Sequence, residues 1–315
     1  MGPRKTKIRS GAYCNWANDR FVRNVPLYNP NLGFDEKREQ RDQDAVVEQL
    51  LRLTARAESL PGVRLVAWPE AAVDGYFFDH RQWEAWIADT VRRTRIPVLA
   101  GGLDVQLYPN ETYDTYNAAF FFDSTGSDST WPSYRKTYLV PIVERVPFVN
   151  PRWFGKMKWF GGFGHGDRFP IYRFAEGRFG VVICYESAFE DLARRYRSGG
   201  ADFLVNITND AWFGRTAAPY QHASHLVMRA IETRMGVARA ANTGISEFLD
   251  PLGYPHLRTP LDVQRVEADT VYTTAGRTLY VRLGDWVSLL ALIGSGALVL
   301  AALVRKSAGG DGVMM

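Results

Sequence analysis

The chain has 315 residues, 46% of them hydrophobic and 13% aromatic, with a formal net charge of +4. That length builds one large α/β domain or two modest ones, and the apolar content excludes a disordered chain. The mild basicity suits an anionic lipid surface; without a basic recognition motif it gives no argument for nucleic acid.

Residues 1–20 are basic and polar, with Arg4, Lys5, Lys7 and Arg9 and no apolar run of the kind a cleavable signal needs. Val22 to Leu27 reads as a first strand that ends in the turn-rich Tyr28-Asn29-Pro30-Asn31-Leu32-Gly33. Between Asp35 and Leu60, the spacing of Val46, Val47, Leu50, Leu51, Leu53 and Ala57 among charges predicts an amphipathic helix. Pro61-Gly62 stops it, and Val63 to Trp68 is the next strand, closed by Pro69-Glu70. A helix over Arg81–Thr94 and a strand from Pro97 to Gly101 follow. This alternation of strand, helix and strand predicts an α/β architecture.

Tyr113 to Phe122 alternates as an edge or sandwich strand, with its turn at Asp123-Ser124-Thr125-Gly126. After Tyr134 to Pro141, a long loop from Pro147 to Gly166 carries Trp153, Phe154, Met157, Trp159, Phe160 and Phe163. A loop of that length is usually functional or disordered, and disorder does not favour so many aromatics. Two readings stand: an exposed apolar lid over a greasy substrate, which is favoured, or a segment folded back on the core.

Val181, Val182 and Ile183 form a short buried strand that runs directly into Cys184, Tyr185 and Glu186, and a helix begins near Phe189. A cysteine at such a junction sits at the carboxyl end of a strand, where α/β proteins present reactive groups. Its alternative is a small buried thiol, the usual fate of a free cysteine. Cys14 is the other cysteine, and the two could in principle pair; no CxxC or Cys/His cluster points to a disulfide framework or a zinc site. Phe203 to Asp210 is another strand with a polar exit, Tyr220 to Arg234 a helix, and Gly236 to Ala241 a strand. Ser246 to Asp250 with Pro251-Leu252-Gly253 reads as a hairpin. His222 and His225 share a helix face without a third ligand, which favours packing over a metal.

Trp286 to Val304 is an uncharged run rich in Leu, Ala and Val, followed at once by Arg305 and Lys306. Roughly 20 such residues span a bilayer core, whereas shorter runs stay inside soluble domains. The flanking cations place the C-terminus in the cytoplasm and the preceding domain on the outer side.

Glu70, Lys136 and Cys184 combine the groups that acyl transfer wants. A cysteine thiolate attacks carbonyl carbon, a carboxylate near Trp68, Phe77 and Phe78 can shuttle the proton, and a fixed cation steadies the oxyanion. Singly, each has a duller explanation: a helix-start carboxylate, a solvated charge, core filler.

Three segments, Trp68-Pro69-Glu70, Tyr134-Arg135-Lys136 with Leu139-Val140-Pro141, and Ile183-Cys184-Tyr185-Glu186, resemble the signature segments of the nitrilase superfamily. Lys136 to Pro141 with Glu144, Cys184-Tyr185-Glu186, Thr208 to Gly214, Met228 to Glu232 and Asn242 to Ile245 narrow the resemblance to the apolipoprotein N-acyltransferase family. It runs from about residue 22 to residue 305. The resemblance implies a nitrilase-like αββα sandwich with one C-terminal transmembrane helix. It divides the chain into a leading segment (1–20), a catalytic domain (21–283), a membrane helix (284–306) and a cytoplasmic tail (307–315).

The implied activity is a two-step transfer. Cys184, served by Glu70, takes an acyl chain from a phospholipid as a thioester, and the amine of a lipoprotein's diacylglyceryl-cysteine then accepts it. Lys136 holds the oxyanion, Glu144 supports the lysine or the base, and Tyr185 and Glu186 shape the nucleophile turn. Trp212, Phe213, Trp153 and Trp159 bound the acyl-chain entrance. No cofactor or metal is implied. The implied location is the bacterial inner membrane, with the domain facing the periplasm. The family normally carries several membrane helices ahead of this domain, and none is read in this sequence; a truncated gene, a mis-called start or reliance on a separate membrane-helix partner would each account for that. A carbon–nitrogen hydrolase of amidase type, using the same three residues with water as acceptor, is the alternative, as is an inactive fragment.

Overall fold

The computed structural model describes residues 20–29, 43–58, 60–73, 75–77, 80–109, 112–124, 133–145 and 162–309. Cys14, Phe78, Trp153 and Trp159 lie outside these residues, as does most of the expected aromatic lid.

Two six-stranded sheets lie face to face. The first is built from β1 (Arg20–Asn29), β2 (Val66–Ala67), β3 (Val98–Leu107), β4 (Tyr113–Phe122) and β5 (Ser133–Arg135), with β12 (Arg265–Thr273) on its edge. The second contains β6 (Tyr172–Phe174), β7 (Gly177–Ile183), β8 (Phe203–Asn209), β9 (Gly236–Asn242), β10 (Glu247–Leu249) and β11 (Pro255–Arg258). β7, β8 and β9 are parallel neighbours, and so are β1, β2 and β3. All three strands β7 to β9 therefore end on the same side.

Sequence alternation fixes which residues face where. Val181, Ile183, Val205 and Ile207 of the second sheet meet Leu65, Ala67, Leu99, Ala119 and Phe121 of the first in a core between the sheets. The alternate set, Val182, Leu204 and Val237, packs outward against α3 (Glu190–Gly199) and α4 (Ala218–Thr233). On the opposite outer face, α1 (Gln43–Glu58) and α2 (Arg81–Thr94) bring Val46, Val47, Leu50, Trp83 and Ile87 against Val66, Val98, Ala118 and Phe120. The result is the expected αββα sandwich, each buried large side chain contributing about 1.5–3 kcal/mol.

Several boundaries differ from the sequence reading. The strand expected to stop at Gly101 continues to Leu107. Gly101 does not break it: a Cβ there would stand 2.2 Å from the Pro69 carbonyl and 2.8 Å from the Glu70 Cα, so glycine admits the turn that carries Glu70. β4 is interior, paired with β3 on one side and β5 on the other.

Beyond β12, the segment from Thr274 to Gly284 straps across α3 and α4. Arg197 donates to the carbonyls of Thr274 and Gly276, Arg194 to that of Tyr280, and Thr278 to that of Glu232. A short helix, α5 (Leu279–Leu283), ends at Gly284 and is followed by α6 (Trp286–Gly309). No part of its apolar stretch, Trp286–Arg305, is buried against the rest of the molecule, and by length and composition it is able to cross a membrane. The helix itself runs on to Gly309.

Candidate active site

The three segments singled out in the sequence end at one place. Glu70 follows β2, Lys136 follows β5, and Cys184 follows β7. Glu70 and Lys136 are almost wholly buried, and Cys184 is partly exposed. Lys136 Nζ donates to Glu144 Oε1 at 2.8 Å and stands 3.3 Å from Glu70 Oε1. Two further donors aim the carboxylates. Asn117 Nδ2 lies 2.7 Å from Glu70 Oε1 and 3.2 Å from Glu144 Oε1, and the Val140 amide donates to Glu144 Oε2 at 2.8 Å. The second carboxylate oxygen of Glu70 accepts from the Asn209 amide.

These contacts set the charge states. Burial by itself pulls the Lys136 ammonium down, but Glu70, the Cys184 sulfur and Glu144 together hold it above the ordinary lysine value. Lys136 is therefore a permanent cation. Burial, followed by the negative charge of Glu70, pushes the Cys184 thiol up to about 12; the Lys136 cation and a hydrogen bond with Thr208 act the other way. The resting sulfur is a protonated thiol, so attack on a carbonyl needs a base to take its proton. Glu70 is the carboxylate whose charge bears most strongly on it.

The backbone around the site is strained. Ala71, Ile142 and Cys184 all have positive φ, at 44°, 69° and 50°. Such values are rare for non-glycine residues and are tolerated where the surroundings enforce them. For the Cys184 turn, that enforcement comes from Glu186. Its buried carboxylate accepts from the Ile183 amide, the Tyr134 hydroxyl, the Thr137 amide and hydroxyl, and the Tyr138 amide, at 2.6–3.1 Å. One side chain thus ties the Cys184 turn to the loop that carries Lys136. Tyr185 packs edge-on against Phe189, which stacks on Tyr138 at 4.1 Å between ring centroids.

Trp212, in the 3₁₀ turn after β8, is two-thirds exposed, and Phe213 lies edge-on to His222. His222 Nδ1 is 2.9 Å from Asp210 Oδ1, and no group of metal-ligating side chains occurs among the described residues. Asn117 was not singled out in the sequence, and Thr208 and Asn209 were named only as members of the Thr208 to Gly214 segment, with no role at the site. Asn117 had a signal: it is the one amide in the apolar run Tyr116 to Phe122 of a buried strand, where a polar group needs partners.

The carbon–nitrogen hydrolase family model matches residues 31–275. This chain belongs to the carbon–nitrogen hydrolase family. Its sequence relatives include an apolipoprotein N-acyltransferase of Geobacter metallireducens, 34% identical over 90% of this chain and 54% of the relative. A second, from Chlorobaculum tepidum, is 30% identical over 90% of this chain and 57% of its own length. The chain spans about half the length of these relatives. Among solved structures, a carbon–nitrogen hydrolase from Helicobacter pylori superposes with a TM-score of 0.60 at 13% identity, covering 80% of this chain and 89% of its own. A mutant amidase from Nesterenkonia, solved with acrylamide added to its active-site cysteine, gives 0.58 at 16% identity, covering 86% and 99%. These carry the fold: this member of the carbon–nitrogen hydrolase family has a nitrilase-like sandwich.

Proposed function

We propose that this protein is an N-acyltransferase that moves a fatty acyl chain from a phospholipid to the terminal amine of a diacylglyceryl-cysteine on a lipoprotein. The observation that carries the reading is the similarity to apolipoprotein N-acyltransferases over 90% of the chain, with Glu70, Lys136 and Cys184 following three strands and Lys136 3.3 Å from Glu70.

In the first step Cys184 attacks the ester carbonyl while Glu70 takes the thiol proton. The tetrahedral oxyanion forms beside Lys136, and its collapse expels the lysophospholipid alkoxide, to which Glu70 returns the proton. In the second step the acceptor amine attacks the thioester, Glu70 removes its proton, and the departing sulfur is reprotonated. Glu144 and Asn117 hold Lys136 and Glu70 in place throughout, and Glu186 with Tyr185 shapes the nucleophile turn. A thioester that outlives one step needs water kept away. An apolar rim that includes Trp212 and Phe213 would do that while admitting the chain.

The exposed apolar face of α6 supports a membrane location. In this reading residues 21–283 are the catalytic unit, 284–306 a membrane helix and 307–315 a tail, with the domain on the periplasmic side of the bacterial inner membrane.

The test is incubation of the purified chain with phospholipid, followed by a diacylated lipopeptide. A hydroxylamine-labile acyl mass on Cys184 that disappears as the lipopeptide gains an acyl chain is expected. Rapid hydrolysis of a short amide with no lipopeptide acylation would overturn the reading in favour of an amidase.

A further inference from the structure

The second sheet brings more to the sulfur than a strand end. Ile183 pairs with Ile207 in parallel register, so Cys184, which leaves β7 at this point, stands at the register position beside Thr208, still within β8. Thr208 is fully buried, and its hydroxyl lies 3.2 Å from Asp210 Oδ1. A hydroxyl committed to a carboxylate sits at about 2.5–2.7 Å, so this one is held slackly.

Asp210 has no slack of its own. Arg239 Nη2 donates to its Oδ2 at 2.8 Å, and His222 Nδ1 stands 2.9 Å from its Oδ1. Arg239 is fully buried and is fixed in turn by Asn206 Oδ1 at 2.7 Å and the Ile245 carbonyl at 3.0 Å. Burial would raise the Asp210 carboxyl, but Arg239 and His222 outweigh it and hold the group below the ordinary aspartate value, ionised. The Thr208 hydroxyl therefore has one proton and two neighbours able to accept it: a fixed carboxylate and the sulfur.

We propose that Thr208 is a further catalytic residue of this site: its hydroxyl rests on Asp210 while the sulfur is protonated and turns to donate to the sulfur whenever that atom carries negative charge. Asp210, locked by Arg239 and His222, is the positioning residue that parks the donor. The oxygen keeps its proton throughout; only the acceptor changes. Sulfur is charged twice in the proposed cycle, on attack and on departure, so the donor serves both steps. The charges facing the sulfur are Glu70 and Lys136 from the first sheet and Asp210 from the second, with Glu144 behind Lys136 and Arg239 and His222 behind Asp210. The inference rests on Cys184 being the nucleophile of the proposed function.

The experiment is alkylation of the full chain in detergent micelles with iodoacetamide at pH 8. Modification at Cys184 is followed by peptide mass spectrometry for wild type, Thr208→Ser and Thr208→Val, with a thermal melt of each. A hydrogen bond to a charged acceptor is worth about one to two pK units, and roughly half of that returns as nucleophilicity, so Thr208→Val should alkylate about three- to tenfold more slowly. Thr208→Ser should stay within about twofold of wild type. Any other pattern in folded proteins overturns the proposal: wild-type rates in Thr208→Val, or slowing in Thr208→Ser, which would mark the methyl group and not the hydroxyl. Should Thr208→Val fail to fold, Thr208→Ala carries the same decision, a three- to tenfold loss supporting the donor and an unchanged rate refuting it. Alkylation needs no lipid. An absence of acyl transfer by wild type would thus sink the proposed function without touching this result.

Discussion

The main-chain amide of Asn209 donates to Glu70 Oε2 at 2.8 Å, so a carboxylate from one sheet is aimed by the backbone of the other. The remaining oxygen, Oε1, is held by Asn117 and Lys136. Glu70→Gln keeps the shape and removes both the base and the negative charge that raises the thiol. The Cys184 thiol should then ionise at lower pH, seen as an earlier rise in thiolate absorbance, while acyl-enzyme formation falls about 10²–10⁴-fold. Loss of acylation with no shift in the thiol titration would count against Glu70 as the proton acceptor.

Lys136→Met removes the cation beside the expected oxyanion. The acylation rate should fall about 10²–10³-fold while phospholipid binding changes by less than about threefold, as read by single-turnover mass spectrometry and a binding isotherm. Equal losses in the two would make Lys136 a binding residue. Asn117→Ala leaves Lys136 in place but frees both carboxylates it bridges, and a smaller loss, about tenfold in the same rate, is expected.

Glu186 accepts from the Ile183 amide at the start of the Cys184 turn and from Tyr134, Thr137 and Tyr138 of the segment around Lys136, and a glutamine there would turn an NH₂ toward some of them. Glu186→Gln should cost about 2–4 kcal/mol of stability in a denaturant titration. It should also lower Cys184 alkylation, because the positive φ at Cys184 loses its restraint. A stable variant with normal alkylation would show that the turn holds itself.

The Asp210 carboxyl lies below its ordinary value because Arg239 and His222 overcome its burial. A depressed acid contributes stability fully above the unfolded value of about 3.9 and loses it as pH falls from there through the folded value. Asp210→Asn should be destabilised at neutral pH by about 3–5 kcal/mol, since Arg239 is left buried without its partner. Its stability should also fall less steeply below pH 4 than that of wild type; parallel acid limbs in thermal melts would refute the assignment.

If α6 spans a bilayer, two arginines near its middle are expected to abolish insertion, at about 2.5–3.5 kcal/mol each. Leu292→Arg combined with Leu298→Arg should move the chain from the alkali-resistant membrane fraction to the supernatant. Retention in the membrane would mean that another part of the molecule anchors it.

Much of this was legible in the sequence because the central strands and outer helices obey simple periods. Arg81–Thr94 and Tyr113–Phe122 have the boundaries that their apolar spacing predicts. Gly101 misled, since a glycine that admits a crossing backbone looks the same in sequence as one that ends a strand. β12 was missed because Arg265 to Thr273 is a half-buried edge strand whose sequence is mixed rather than apolar. In the site, Glu70, Lys136 and Cys184 each had a duller explanation singly and were brought together by the resemblance of their segments to the family's signature segments. Asn117 and Thr208 are ordinary residues made significant by what the folded chain sets beside them, and the Asn209 contribution is a backbone amide, to which sequence is blind.

The cross-sheet bond from Asn209 to Glu70 also says what kind of instrument this site is. Glu70, Lys136 and the side chains that hold them ride on one half of the sandwich, while Cys184 and the Asn209 amide ride on the other, so neither half alone assembles the proposed centre. Turnover is in effect a gauge of how the halves are seated: a slip of a fraction of an ångström between them would silence the chemistry while both remained folded.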